Sequence, residues 1–91
     1  VSATGWGEQM LRYVTAKDVA VRIARGGAPQ DALREALDDI ARRFGGPIGA
    51  IALDARGRLG VVHGTEAMPH AWRRSGEPEV AARFAAGRIP A

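Results

Sequence analysis

The chain has 91 residues, 46 % hydrophobic and 25 % charged, with a net charge of +3 at neutral pH. A chain this short makes at most one small domain, burying about 60 to 65 % of its unfolded surface, and no apolar run approaches the ~20 residues of a membrane span. Cysteine is absent and there are two histidines, which excludes disulfides and thiolate sites and leaves too few ligands for zinc, so neither a metal nor a cofactor is expected.

Val1-Ser2-Ala3 reads as the end of a strand, and Thr4-Gly5-Trp6-Gly7 as the loop that leads into a short helix over Glu8 to Val14. Thr15-Ala16-Lys17-Asp18 has the form of a capping box variant, with Thr15 as N-cap and an acid three positions on. A second helix follows, its buried face drawn from Val19, Ala20, Ile23 and Ala24, with Gly26-Gly27 as its stop. The third helix is the plainest. Pro29 stands in its first turn, and Ala32, Leu33, Ala36, Leu37, Ile40, Ala41 and Phe44 form one apolar stripe ending at Gly45-Gly46.

From Pro47 onward the residues become small and β-branched. Ile48 to Leu53 and Leu59 to His63 predict a hairpin around the turn at Asp54 to Arg58. Gly49 and Gly60, inside the strands, imply close approach by another element. Met68 to Arg73 is a candidate third antiparallel strand of that sheet. Residues 77 to 91 read as a tail, with Pro78 and two acids at the start of a possible short helix containing Val80, Ala81, Phe84 and Ala85. The fold class is therefore α+β: two to three helices followed by an antiparallel hairpin or three-stranded sheet portion.

The loop at Thr4 to Gly7 carries the chemistry. Gly5 and Gly7 lack the Cβ atoms that would keep a ligand off the backbone, and the start of the next helix offers N–H groups to an anion or oxyanion. Taken locally, the same pattern also describes an ordinary tight strand-to-helix turn. Glu8 and Arg12 stand at i, i+4 spacing, where an ion pair supports the helix, and Glu8 is placed to help fix the loop. His63 and His70 read as packing residues.

Thr4-Gly5-Trp6-Gly7-Glu8, Arg12 four residues on, the helix pair closed by Gly26-Gly27, the strands from Gly49 to Val62, and Thr65-Glu66-Ala67-Met68 with Ala71-Trp72 follow one another in a familiar order. Residues 1 to about 76 resemble the C-terminal part of the β-subunit of plant-type L-asparaginases, or isoaspartyl peptidases, among the N-terminal-nucleophile hydrolases. The resemblance implies part of an αββα sandwich and a precursor that cleaves itself to free a threonine. That hydroxyl attacks the amide with its own α-amine as base. It further implies that Thr4 and Gly5 are the catalytic oxyanion donors, through a hydroxyl and a backbone N–H. Gly5 C=O and Gly7 N–H would touch the substrate's α-amino and α-carboxylate groups.

By the same resemblance, the nucleophilic threonine, its supporting threonine, and the substrate-binding arginine and aspartate lie upstream. The chain is then a C-terminal fragment, inactive alone. Its partners are the remainder of the precursor and a small amide or isoaspartyl peptide substrate, within a homo-oligomer of the whole enzyme. Trp6 departs from the family, which usually has a small residue there, and its ring would narrow or reshape the pocket.

Two rival readings remain. One is an interaction module that keeps the fold without the chemistry. The other is a small basic nucleic-acid-binding domain, suggested by an isoelectric point near 10.6. Only Arg42-Arg43 and Arg73-Arg74 are adjacent basic pairs, and the arginines alternate with acids, so nucleic acid is not the expected partner. Val1 rather than methionine opens the chain and no secretory signal is visible, which leads us to expect an upstream segment and a cytoplasmic setting.

Overall fold

A computed structural model describes residues 1–85. In chain order they form β1 (Ser2–Gly5), α1 (Gly7–Tyr13), α2 (Thr15–Ala24), α3 (Pro29–Phe44), β2 (Ile48–Leu53), β3 (Leu59–His63), β4 (His70–Trp72) and β5 (Ala81–Arg83). The class is α+β. β1, β2 and β3 make an antiparallel sheet in that spatial order, and β4 pairs with β5 in a separate two-stranded sheet.

α3 organises the core. Ala28 enters it in extended conformation, Pro29 fills the first turn, and Gly45 closes it at φ 78° with its N–H on the Ala41 carbonyl. Ala32, Leu33, Ala36, Leu37 and Ile40 are buried, and Ala41 and Phe44 pack at the margin. They meet Ile48, Ala50, Ala52 and Val62 on one face of the sheet, since alternate strand residues point to the same side. The small residues on that face let the helix come close. A Cβ at Gly60 would stand 2.7 Å from the Pro29 backbone, so the start of α3 lies directly against β3.

The structure alters several expectations. Thr15 does not cap α2; it is the first helical residue, and its hydroxyl donates back to the Met10 carbonyl at 3.0 Å. Asp18 instead accepts from Arg22 at 2.8 Å. The break between α1 and α2 is made by Val14 in the left-handed region, at φ 58° and ψ 50°. Val19 is buried and Ile23 partly so, but Ala20 and Ala24 face solvent, and the buried Thr15 completes the inner face.

The third strand of the main sheet is β1, from before the helices. β4 leaves that sheet because its partner is β5, with His70 opposite Arg83 and Trp72 opposite Ala81. The tail residues Ala81–Arg83 are therefore strand rather than helix; Met68 N–H donates to the Phe84 carbonyl at 2.9 Å and extends that pairing. The remainder of the predicted tail, 86–91, lies outside the described residues.

The helices cover one face of the main sheet. On the other face Ile51 is 39 % and Leu53 63 % exposed, and these line an apolar groove with Val1, Leu59 and the chain from Ala71 to Ser75. No helix among the described residues is long and apolar enough to cross a membrane.

Candidate active site

Antiparallel pairing decides what β1 offers to a ligand. Ile48 C=O accepts from Gly64 N–H at 2.7 Å, so the polar groups of Ile48 point toward β3. Direction alternates along a strand, so those of Gly49 and Ile51 point toward β1. Val61 gives the same phase, because its N–H and C=O turn away from β2 to the Gln30 side chain at 2.8 and 3.0 Å. Thr4 lies opposite Gly49 and Ser2 opposite Ile51. The backbone groups of Thr4 and Ser2 therefore pair with β2, while the N–H groups of Ala3 and Gly5 point to the outer edge of β1, where no described strand lies.

Side-chain alternation places the Thr4 hydroxyl on the sheet face away from the helices, the face shared by Gly49 and His63. Thr4, Gly5, Trp6 and Gly7 are all exposed. The structure thus brings a hydroxyl and an edge-directed N–H together at adjacent positions.

Gly5 is required where it stands. Its φ is 126°, and a Cβ would lie 2.5 Å from the Pro47 carbonyl oxygen and 2.7 Å from Ile48 Cα. Gly7 differs: it has no positive φ, and nothing lies within 4 Å of a Cβ built on it. It begins α1, whose first turn accepts Gln9 and Met10 N–H on the Trp6 carbonyl at 3.1 and 3.2 Å. Trp6 is 52 % exposed at the lip of the loop.

α1 has no fully buried residue; Met10 and Tyr13 pack at the margin of the core, and polar contacts tie the helix to α3. Tyr13 OH donates to Asp39 at 2.7 Å, and the Arg12 guanidinium lies 5.0 Å from the Phe44 ring centre. Burial and the bond to Asp39 raise the Tyr13 phenol, while the Tyr13 hydroxyl, helped by Arg43 and Arg42, holds the Asp39 carboxyl below its ordinary range. Gln9 receives Gly46 N–H at 3.0 Å and donates to the Phe44 carbonyl at 3.3 Å. No ion pair joins Glu8 to Arg12 among the described residues, because Arg12 turns to the aromatic ring. Neither Gln9 nor Gln30 was singled out from the sequence, since a glutamine in the first turn of a helix carries no signal of the distant backbone it reaches.

The histidines are in structural settings. His63 is fully buried, its Nδ1 2.8 Å from the Thr65 carbonyl. Met68 Sδ occupies the space beside it, 2.5 Å from where a Gly49 Cβ would stand, which accounts for the glycine in β2. His70 Nδ1 donates to the Met68 carbonyl at 2.7 Å and its ring stacks on Trp72 at 5.8 Å. Among the described residues four arginines are matched locally: Arg22 with Asp18 and Glu35, Arg42 with Asp38 and Asp39, Arg43 with Asp39, and Arg58 with Asp54.

A helix layer on one face of an antiparallel sheet, with a threonine-glycine pair at the sheet edge, defines an α+β segment. The sequence profile of the family described as asparaginase matches residues 1–82, and the chain belongs to that family. It is 34 % identical over 77 residues to a plant-type L-asparaginase of Pyrobaculum calidifontis, an alignment covering 84 % of this chain and 26 % of that one. To the isoaspartyl peptidase of Escherichia coli strain K12 it is 35 % identical over 81 residues, covering 85 % and 24 %. The isoaspartyl peptidase of Salmonella typhimurium is 33 % identical over 78 residues, covering 85 % and 25 %. The chain thus spans about a quarter of the length of the curated relatives it matches. The profile match continues past residue 76, through the first two residues of β5.

Proposed function

We propose that this chain is the C-terminal segment of the β-subunit of a threonine-dependent amidohydrolase of the asparaginase and isoaspartyl peptidase type. It supplies the oxyanion hole, and the nucleophilic threonine belongs to a segment this chain does not contain. The observation that carries the reading is the phase of β1. Gly5 N–H faces an open strand edge, and the adjacent Thr4, itself exposed, turns its hydroxyl to the sheet face away from the helices, so two donors stand at neighbouring positions on the sheet margin. Preorganised donors of this kind are worth about 3 to 4 kcal/mol each at a developing oxyanion. Gly5 C=O and Gly7 N–H complete the set as contacts to the substrate's charged α-groups.

The apolar groove on the uncovered face supports the same reading. Ile51, Leu53 and Leu59 form a surface of the kind that a second layer covers in a sandwich, and the remainder of the precursor would supply that layer. Whole-enzyme assembly into an oligomer and a cytoplasmic setting belong to the same proposal. Trp6, standing at the lip, would set the size of the group admitted beside the scissile amide.

The test is a chimera in which residues 1–82 replace the matching segment of the Escherichia coli isoaspartyl peptidase. With turnover established on an isoaspartyl dipeptide, Thr4→Val is expected to lower kcat by about 10²- to 10³-fold with KM little changed, the pattern of a contact made in the transition state. A Thr4→Val chimera that keeps its kcat would overturn the assignment. The 91-residue chain alone is expected to show no hydrolysis.

A further inference from the structure

We propose that Gln9 is the positioning residue of the Gly5–Gly7 loop, a carboxamide clamp that ties the first turn of α1 to the stretch of chain against which Gly5 packs. Gln9 Oε1 accepts Gly46 N–H at 3.0 Å and Nε2 donates to the Phe44 carbonyl at 3.3 Å, so both ends of the amide are engaged on one short segment. The contact is close at Gly46: a Cβ there would overlap the Gln9 carboxamide and displace it. One residue further on, the Pro47 carbonyl abuts Gly5, and Ile48 is the strand partner of Gly5. The chain therefore closes a small ring from Gly5 through Trp6, Gly7 and Glu8 to Gln9, across to Gly46, and through Pro47 back to Gly5.

The ring matters because α1 buries no residue and its other polar anchors, Tyr13 on Asp39 and Arg12 over Phe44, lie in its last turn. Met10 packs at the margin of the core. Gln9 is the polar link of the first turn, the turn that carries Gly7. Without it, Trp6 and Gly7 are fixed on one side by β1 and on the other by the packing of Met10 and the polar anchors of the last turn.

The functional consequence rests on the reading of Thr4, Gly5 and Gly7 given above, but the clamp is measured without turnover. The probe is backbone ¹⁵N relaxation on the 91-residue chain. In Gln9→Met, which keeps length and apolar bulk but not the amide, order parameters at Trp6 and Gly7 should fall from the rigid range near 0.85 to below about 0.6. Those at Ala50 and Val62 should stay unchanged. Gln9→Glu should show the same loss at pH 7, because a carboxylate cannot donate to the Phe44 carbonyl. It should recover near pH 3, where the protonated acid can donate to Phe44 and accept from Gly46, with the parent protein at the same pH as reference. If Gln9→Met melts the domain, Gly46→Ala, which displaces the amide from the other side, carries the same expectation. Unchanged order at Trp6 and Gly7, an equal loss at Ala50 and Val62, or a Gln9→Glu variant indifferent to pH would overturn the proposal. In the chimera, loosening that leaves kcat intact would sink the oxyanion reading while the clamp stands.

Discussion

Gly5 is the position where conformation and packing both forbid a side chain, so Gly5→Ala offers a quantitative check on the structure. An alanine at φ 126° occupies backbone space that L-residues rarely adopt, which costs about 1 to 3 kcal/mol. Its Cβ would stand 2.5 Å from the Pro47 carbonyl oxygen and 2.7 Å from Ile48 Cα. Both neighbours are backbone and cannot rotate away, so overpacking adds roughly another 1 to 3 kcal/mol. The sum, about 2 to 6 kcal/mol, compares with a total stability of roughly 5 to 14 kcal/mol for a domain of this size. A loss of 3 kcal/mol would lower Tm by about 12 to 24 °C. Gly7→Ala is the matched control, two residues away at the start of α1, with an ordinary φ and no atom within 4 Å of the added methyl. It is expected to be neutral or stabilising by up to about 1 kcal/mol. Urea or thermal unfolding followed by circular dichroism measures both. Equal effects of the two substitutions would refute the close approach of Gly5 to β2.

Val14, a β-branched residue 58 % exposed at φ 58°, is strained by its backbone rather than held by packing; Val14→Gly should raise stability by about 1 kcal/mol, and a lower melting temperature would contradict it. Gln30 satisfies both backbone groups of Val61 on the outer edge of β3. Gln30→Ala should cost about 1 to 3 kcal/mol and speed amide exchange at Val61, with more self-association through the bared edge. Tyr13 OH is the largest influence holding Asp39 low, with Arg43 and Arg42 adding to it. Because the folded carboxyl titrates below its unfolded value, its stabilising contribution is present above about pH 4 and is lost as pH falls through the depressed folded value. Tyr13→Phe should move the Asp39 titration, followed by carbon NMR, up toward the ordinary range. An unchanged titration would remove Tyr13 as the cause.

The sequence alone determined the elements whose cause is local. The α3 stripe from Ala32 to Phe44, its entry at Pro29 and its stop at Gly45 follow from helical periodicity and from the backbone demands of proline and glycine, and they stand as read. The hairpin of β2 and β3 was legible for the same reason: small and β-branched runs flank a turn that Asp54 closes with bonds to the Arg56 and Arg58 N–H groups. The ordered series from Thr4 to Trp72 was enough to place the chain in its family. Tertiary structure decided what depends on partners distant in sequence. β1 joins β2 across more than forty residues, which sends the Gly5 N–H to an open edge, and β4 takes β5 rather than β3. Arg12 turns to the Phe44 ring rather than to Glu8 at i, i+4 spacing, and Gln9 and Gln30 use their amides on backbone that lies 37 and 31 residues away. Local pattern fixes where a backbone can bend or coil. Which edge stays open and which polar group finds a partner are set by packing, and the candidate site is made of those two things.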